Sequence, residues 1–139
     1  MDDLAFLRSR IESYADYTND DTRRLVDEQI RAYVGEALSR LSERLGLVDS
    51  AGEALANLLL RCQFADQVLM RVLDADTIAA AAVPAIRGVD RELVTLADAA
   101  DSIAANEVDA YVAKIEAAFD ARARLITGAA VAPPQTPPR

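Results

Sequence analysis

Four charged side chains stand where the chain's own pattern calls for apolar ones: Asp27, Arg61, Asp66 and Arg122. Asp66 projects at the centre of an apolar helical arc that includes Leu55, Leu58, Leu59, Cys62, Leu69 and Leu73, and Arg61 falls between the directions of Val68 and Val72. Asp27 lies within the edge of the arc formed by Val26, Ile30, Val34, Leu38 and Leu41. Arg122 takes the heptad position between Phe119 and Ile126. A bare carboxylate is costly to bury, so Asp66 calls for a partner. The candidates are Arg122, Arg61 of a second copy, or a hydroxyl of Tyr14, Tyr17, Tyr33 or Tyr111. Three readings follow. These groups form the polar floor of a ligand pocket, or a buried pair that sets helix register, or the third helix is rotated so that Asp66 reaches the rim.

Other chemistry finds little to work with. The chain has no histidine and one cysteine, Cys62, which lies on an apolar helix face where a thiol acts as a small hydrophobe. Nothing nearby is suited to activate it, and no disulfide can form within the chain. The carboxylate and Glu-x-x-His sites of di-iron bundles, and zinc sites, are excluded by the same absence. An all-oxygen Mg²⁺ or Ca²⁺ site could draw ligands from Asp74 with Asp76 or Asp98 with Asp101, but solvated helix ends explain those residues better. The five glycines are scattered singly, so there is no phosphate-cradling loop, and no serine has a basic partner at catalytic spacing. Neither a metal, nor a cofactor, nor catalysis is expected.

Composition narrows the class further. With 139 residues, 52% hydrophobic, the chain suits one packed domain. It holds 28 alanines and only seven aromatic residues, a helix-forming make-up poor in strand formers. A net charge of −8 repels phosphate backbones and anionic lipid, which speaks against nucleic-acid and membrane partners. The opening Met1-Asp2-Asp3 lacks the basic start of a signal peptide, no apolar run is long enough for a bilayer, and the expected location is the cytoplasm.

The elements that must carry these residues are legible as apolar stripes. A first, short helix spans about 3–16, and Thr18 or Asn19 caps a second over about 20–45 that stops at Gly46. A third opens with the capping-box pattern Ser50-Ala51-Gly52-Glu53 and runs to Leu73. The fourth covers about 76–104, with a kink or a short separate helix before Pro84, along the stripe Ile86, Val89, Leu93, Leu96, Ala100, Ile103. Asn106 with Asp109 caps a fifth, which carries Val108, Val112, Ile115 and Phe119 and ends near Gly128. Residues 129–139, with four prolines, read as a disordered tail after a single domain over 1–128. Turns this short favour antiparallel neighbours. The predicted fold is all-α, an antiparallel up-down bundle of four long helices plus a shorter N-terminal one.

Such a bundle has surplus apolar surface: Leu25, Leu60, Phe64 and Val94 all lie off the main stripes. Contiguous exposed apolar area marks an interface. The expected role is therefore non-catalytic protein–protein interaction, self-association into a homo-oligomer included. The competing role is binding of a small molecule between the third, fourth and fifth helices near Pro84.

Overall fold

The computed structural model describes residues 1–18, 20–75 and 77–131, and these are almost wholly helical. Helix α1 spans Asp3–Arg10, started by Asp2, whose carboxylate accepts the Ala5 N–H at 2.7 Å. It is shorter than its sequence pattern suggests. The chain leaves the helix at Ile11, and Asp16 takes a left-handed conformation (φ 63°) that turns both Tyr14 and Tyr17 into the core. Gln29 holds this turn by donating to the Ser13 carbonyl and accepting from the Ala15 N–H.

Helix α2 covers Arg23–Leu45 after a single 3₁₀ turn at Asp20–Thr22; the proposed cap at Asn19 lies outside the described residues. Gly46 closes α2 in the left-handed region (φ 56°), its N–H bonded to the Ser42 carbonyl. Helix α3 spans Ser50–Gln63, and its cap is Asp49 rather than Ser50: the Asp49 carboxylate accepts the Gly52 N–H at 3.1 Å.

The long third helix read from the sequence is in fact two. α3 stops at Phe64, and α4 begins at Gln67 and runs to Ala75. Asp66 is the reason for the restart, since its carboxylate accepts the N–H groups of Val68 and Leu69 at 2.9 and 3.1 Å. The fourth helix is also shorter than expected. Pro84 sits in the first turn of α5 (Val83–Asp98), where its missing N–H costs nothing, so it starts the helix instead of kinking it. Ahead of it lie a 3₁₀ turn, Ala80–Ala82, and a two-residue strand, β1 (Thr77–Ile78). Helix α6 spans Val108–Ala129 and passes straight through Gly128. Glu107, not Asn106, organises its entry by accepting the Ala104 N–H. Ala130–Val131 then form β2, antiparallel to β1 with Thr77 opposite Val131, so the chain is paired three residues beyond the expected end of order. Residues 132–139 lie outside the described residues.

The contacts α2–α3, α3–α6, α6–α5 and α5–α2 close a ring of four helices; α1 leans on α5, and α4 lies against α2 and α6. Inside the ring, Ile30, Leu38, Leu41, Leu55, Leu58, Ile86, Leu93, Ile115 and Ile126 are fully buried. Each contributes roughly 1.5–3 kcal/mol of hydrophobic stabilisation. Val94, which its position off the stripe marked as an interface residue, is buried too. α5 is flanked by α1, α2 and α6 together, so a wider arc of its surface is covered than one stripe supplies.

Candidate functional site

Two of the four singled-out charges meet in the core. Arg122, on α6 and 1% exposed, donates from Nη1 to Asp27 Oδ1 on α2 (2.7 Å) and from Nε to Asp90 Oδ1 on α5 (2.8 Å). Its Nη2 donates to the Tyr17 hydroxyl at 2.9 Å. Tyr14 and Tyr17 both donate to Asp90 Oδ2, at 2.7 and 2.5 Å. The second oxygen of Asp27 takes Arg31 Nε at 2.7 Å, and Arg31 Nη1 reaches on to the Cys62 carbonyl at the end of α3. Two carboxylates thus face two guanidinium groups, and every carboxylate oxygen is hydrogen-bonded. The network ties together α2, α3, α5, α6 and the segment after α1.

Electrostatics here follow from burial. Desolvation pushes the Asp90 carboxyl above its ordinary value, with Arg122 and the two tyrosine hydroxyls pulling the other way. Burial also lifts both tyrosine phenols well above their ordinary value, so they act as neutral donors. Burial disfavours the Arg122 cation, but Tyr17, Asp90 and Asp27 outweigh it and hold the proton more tightly than usual. The groups of this network are engaged with one another, across four helices and the segment after α1.

Asp90 was not among the residues that the sequence marked. The signal was present: Ile86, Asp90, Leu93 and Ala97 keep the same three-and-four spacing as the stripe through Val89 and Leu96, and all four are buried. Asp66 is in turn an exposed helix cap, which matches the rim position and neither the buried pair nor the pocket floor. Its proposed tyrosine partners are committed elsewhere, Tyr33 to Asp98 and Tyr111 to the Leu96 carbonyl. Arg61 pairs with Asp120 at 2.8 Å on the surface, its guanidinium 5.3 Å from the centre of the Phe119 ring.

All four marked residues nevertheless line one cavity. A pocket of about 170 Å³ opens at the α3–α4 break, between α2, α4 and α6. Phe64, Leu69 and Phe119 supply its apolar walls, Asp27 and Arg122 its floor, and Arg31, Arg61 and Asp66 the rest of its polar lining. The site expected beside Pro84 is elsewhere and differently built: a separate cavity of about 250 Å³ there is enclosed by Tyr17, Thr18, Ile78 and the first turns of α5, and includes none of the four.

Of the other candidates, Cys62 is buried and its thiol is pushed up to about 11 by desolvation. Asp74 pairs with Arg24, and Asp98 and Asp101 with Arg10 and Arg40, while Asp76 lies outside the described residues. Among the described residues no cluster of carboxylate and thiol side chains is placed to hold a metal ion. No helix is long and apolar enough to cross a membrane, again among the described residues. Compared with protein-family models, with curated proteins and with solved structures, the chain matches none of them.

Proposed function

We propose that this protein is a non-catalytic helical module that acts through protein–protein contact, its first partner being a second copy of itself. The observation that carries this reading is the α3–α4 corner. Within nine residues, Leu60, Phe64 and Val68 are 51%, 68% and 57% exposed, while the core residues on the same two helices are sealed. Leaving three large apolar side chains in water forgoes roughly 25 cal/mol for every Å² they could bury, and such a cluster is characteristic of an interface. Leu25, 44% exposed near the start of α2, adds to the apolar surface.

Local charge favours a second copy. The whole chain carries −8, yet the corner is bordered by Gln63 and Gln67, and Asp66 is engaged in capping. Two such corners can meet about a two-fold axis with the Arg61 of each copy kept on its own Asp120. Non-catalytic action is supported by what the polar groups are doing: the thiol is buried, and the buried carboxylates are fully bonded.

The scaffold we infer is an up-down bundle, helices alternating in direction along the chain. Three anchors support it. Arg31 joins the first half of α2 to the end of α3, and Tyr111 joins the start of α6 to the end of α5. Arg44 bonds the carbonyls of Ala100 and Ile103, placing the end of α2 beside the end of α5. Two antiparallel pairs, α2 with α3 and α5 with α6, therefore lie side by side.

Light scattering across a wide concentration range tests the reading. The chain is expected to move reversibly from monomer towards dimer, and Phe64→Glu to hold it monomeric. A strict monomer at every concentration, or a dimer indifferent to Phe64→Glu, overturns it.

A further inference from the structure

We propose that the pocket at the α3–α4 break binds a small aryl carboxylate, the ring between Phe64, Leu69 and Phe119 and the carboxylate on Arg61 and Arg31. This does not rest on self-association.

Size sets the first limit. Drug-sized ligands occupy roughly 300–1,000 Å³, whereas an apolar cavity of roughly 150 Å³ accepts a benzene ring. At about 170 Å³ this pocket takes one six-membered ring and a short substituent. Phe64 and Phe119 offer that ring aromatic faces and edges, and Leu69 an aliphatic wall.

Hydrogen-bonding capacity sets the second limit. Of the two acids in the lining, Asp27 has both oxygens occupied, by Arg122 and Arg31, and Asp66, at the exposed rim, spends Oδ1 on the N–H groups of Val68 and Leu69. The arginines keep donors in reserve. Arg61 uses a single nitrogen, on Asp120, and Arg31 has Nη2 left after bonding Asp27 and Cys62. What the pocket offers is N–H, so what it takes is an acceptor. Arg122 is spent on Asp27 and Asp90, so the groups that select an anionic acceptor are the unengaged nitrogens of Arg31 and Arg61.

Geometry and cost agree. The Arg61 guanidinium lies 5.3 Å from the centre of the Phe119 ring, and both residues line the pocket, so the cation already stands beside an apolar wall. Its present partner, Asp120, is half exposed, and an exposed pair of this kind is weak enough for a ligand carboxylate to replace it.

The test is an NMR titration of the full chain, at concentrations where it is monomeric, with phenylacetate, benzyl alcohol and acetate. Phenylacetate is expected to shift resonances of Phe64, Leu69 and Phe119 to saturation, with benzyl alcohol and acetate each about tenfold weaker, as one lost charge-assisted contact implies. Arg61→Gln, at an exposed position that leaves the fold intact, is expected to weaken phenylacetate about tenfold and leave benzyl alcohol unchanged. Equal affinity for acid and alcohol, shifts confined to other parts of the molecule, or no saturable shift overturns the proposal, whatever light scattering shows about self-association.

Discussion

Arg122 occupies a core position that the heptad reserves for an aliphatic side chain, and its neighbours have been chosen to suit it. Five groups converge on or beside it: Asp27, Asp90, Tyr14, Tyr17 and, through Asp27, Arg31. A buried pair of this kind adds little net stability over a well-packed apolar set, but removing one member strands the others. Arg122→Met is therefore expected to cost about 3–5 kcal/mol in urea denaturation, because Asp90 would lose its cationic partner in the core and Asp27 would be left with Arg31 alone. Asp16 makes the complementary case. Burial pushes its carboxyl up, but the hydrogen bonds from Arg87 and the Tyr17 backbone outweigh this and hold it below its ordinary value. A carboxyl that titrates lower in the folded chain than in the unfolded one stabilises fully above the ordinary carboxylate range. That contribution disappears as pH falls through the folded value. Asp16→Asn keeps a residue that tolerates the left-handed turn and removes the charge. It should destabilise by about 1–3 kcal/mol at neutral pH, and the gap to the natural chain should close below about pH 4. A gap independent of pH would show that shape, not charge, is what Asp16 supplies.

At the scale of elements, the helix ends reveal most. The third and fourth helices both look continuous in apolar spacing, yet each is divided where a backbone N–H finds a better acceptor or has none to offer: Asp66 restarts one, Pro84 starts the other. Glycines at helix positions have opposite meanings depending on what lies beside them. A Cβ on Gly52 would stand 2.4 Å from the Leu47 carbonyl oxygen, inside the turn that Asp49 caps, whereas one on Gly128 meets nothing within 4 Å. Alanine is favoured over glycine by up to about 1 kcal/mol in a helix, so Gly128→Ala should stabilise by about that amount. Gly52→Ala should destabilise despite the same propensity gain, because a backbone oxygen cannot swing aside. Thermal melts of the two variants check this. A rise in melting temperature for both would mean the 47–52 turn relaxes freely.

For the molecule as a whole, charge and apolar surface act against each other. Two copies that each carry −8 repel before their corners touch, and the Debye length shortens from about 10 Å at 0.1 M salt to about 3 Å at 1 M. Dimerisation through Leu60, Phe64 and Val68 is thus expected to strengthen as salt rises. An interface built on ion pairs would weaken. Sedimentation at low and high ionic strength distinguishes the two. Three exposed side chains form only the centre of an interface, since stable ones bury roughly 1,200–2,000 Å², so a weak, reversible dimer is the expected outcome.

The helical class, the cap at Gly46 and the buried stripe of α6 were all settled locally, by spacing and by residue type. The same local rules picked out Asp27 and Arg122 as charges out of place, and Leu60 and Phe64 as surplus. What local rules left open were the questions that depend on a neighbour. Whether Asp66 faces core or water turned on where α3 stopped. Whether Val94 was surface turned on how many helices flank α5. Spacing could have marked Asp90 as buried, but its partner, Arg122, thirty-two residues away and 2.8 Å from it, came only with the packing. Periodicity reports which face of a helix is buried; tertiary packing alone decides against what, because partners far apart in the chain are chosen by shape and charge together.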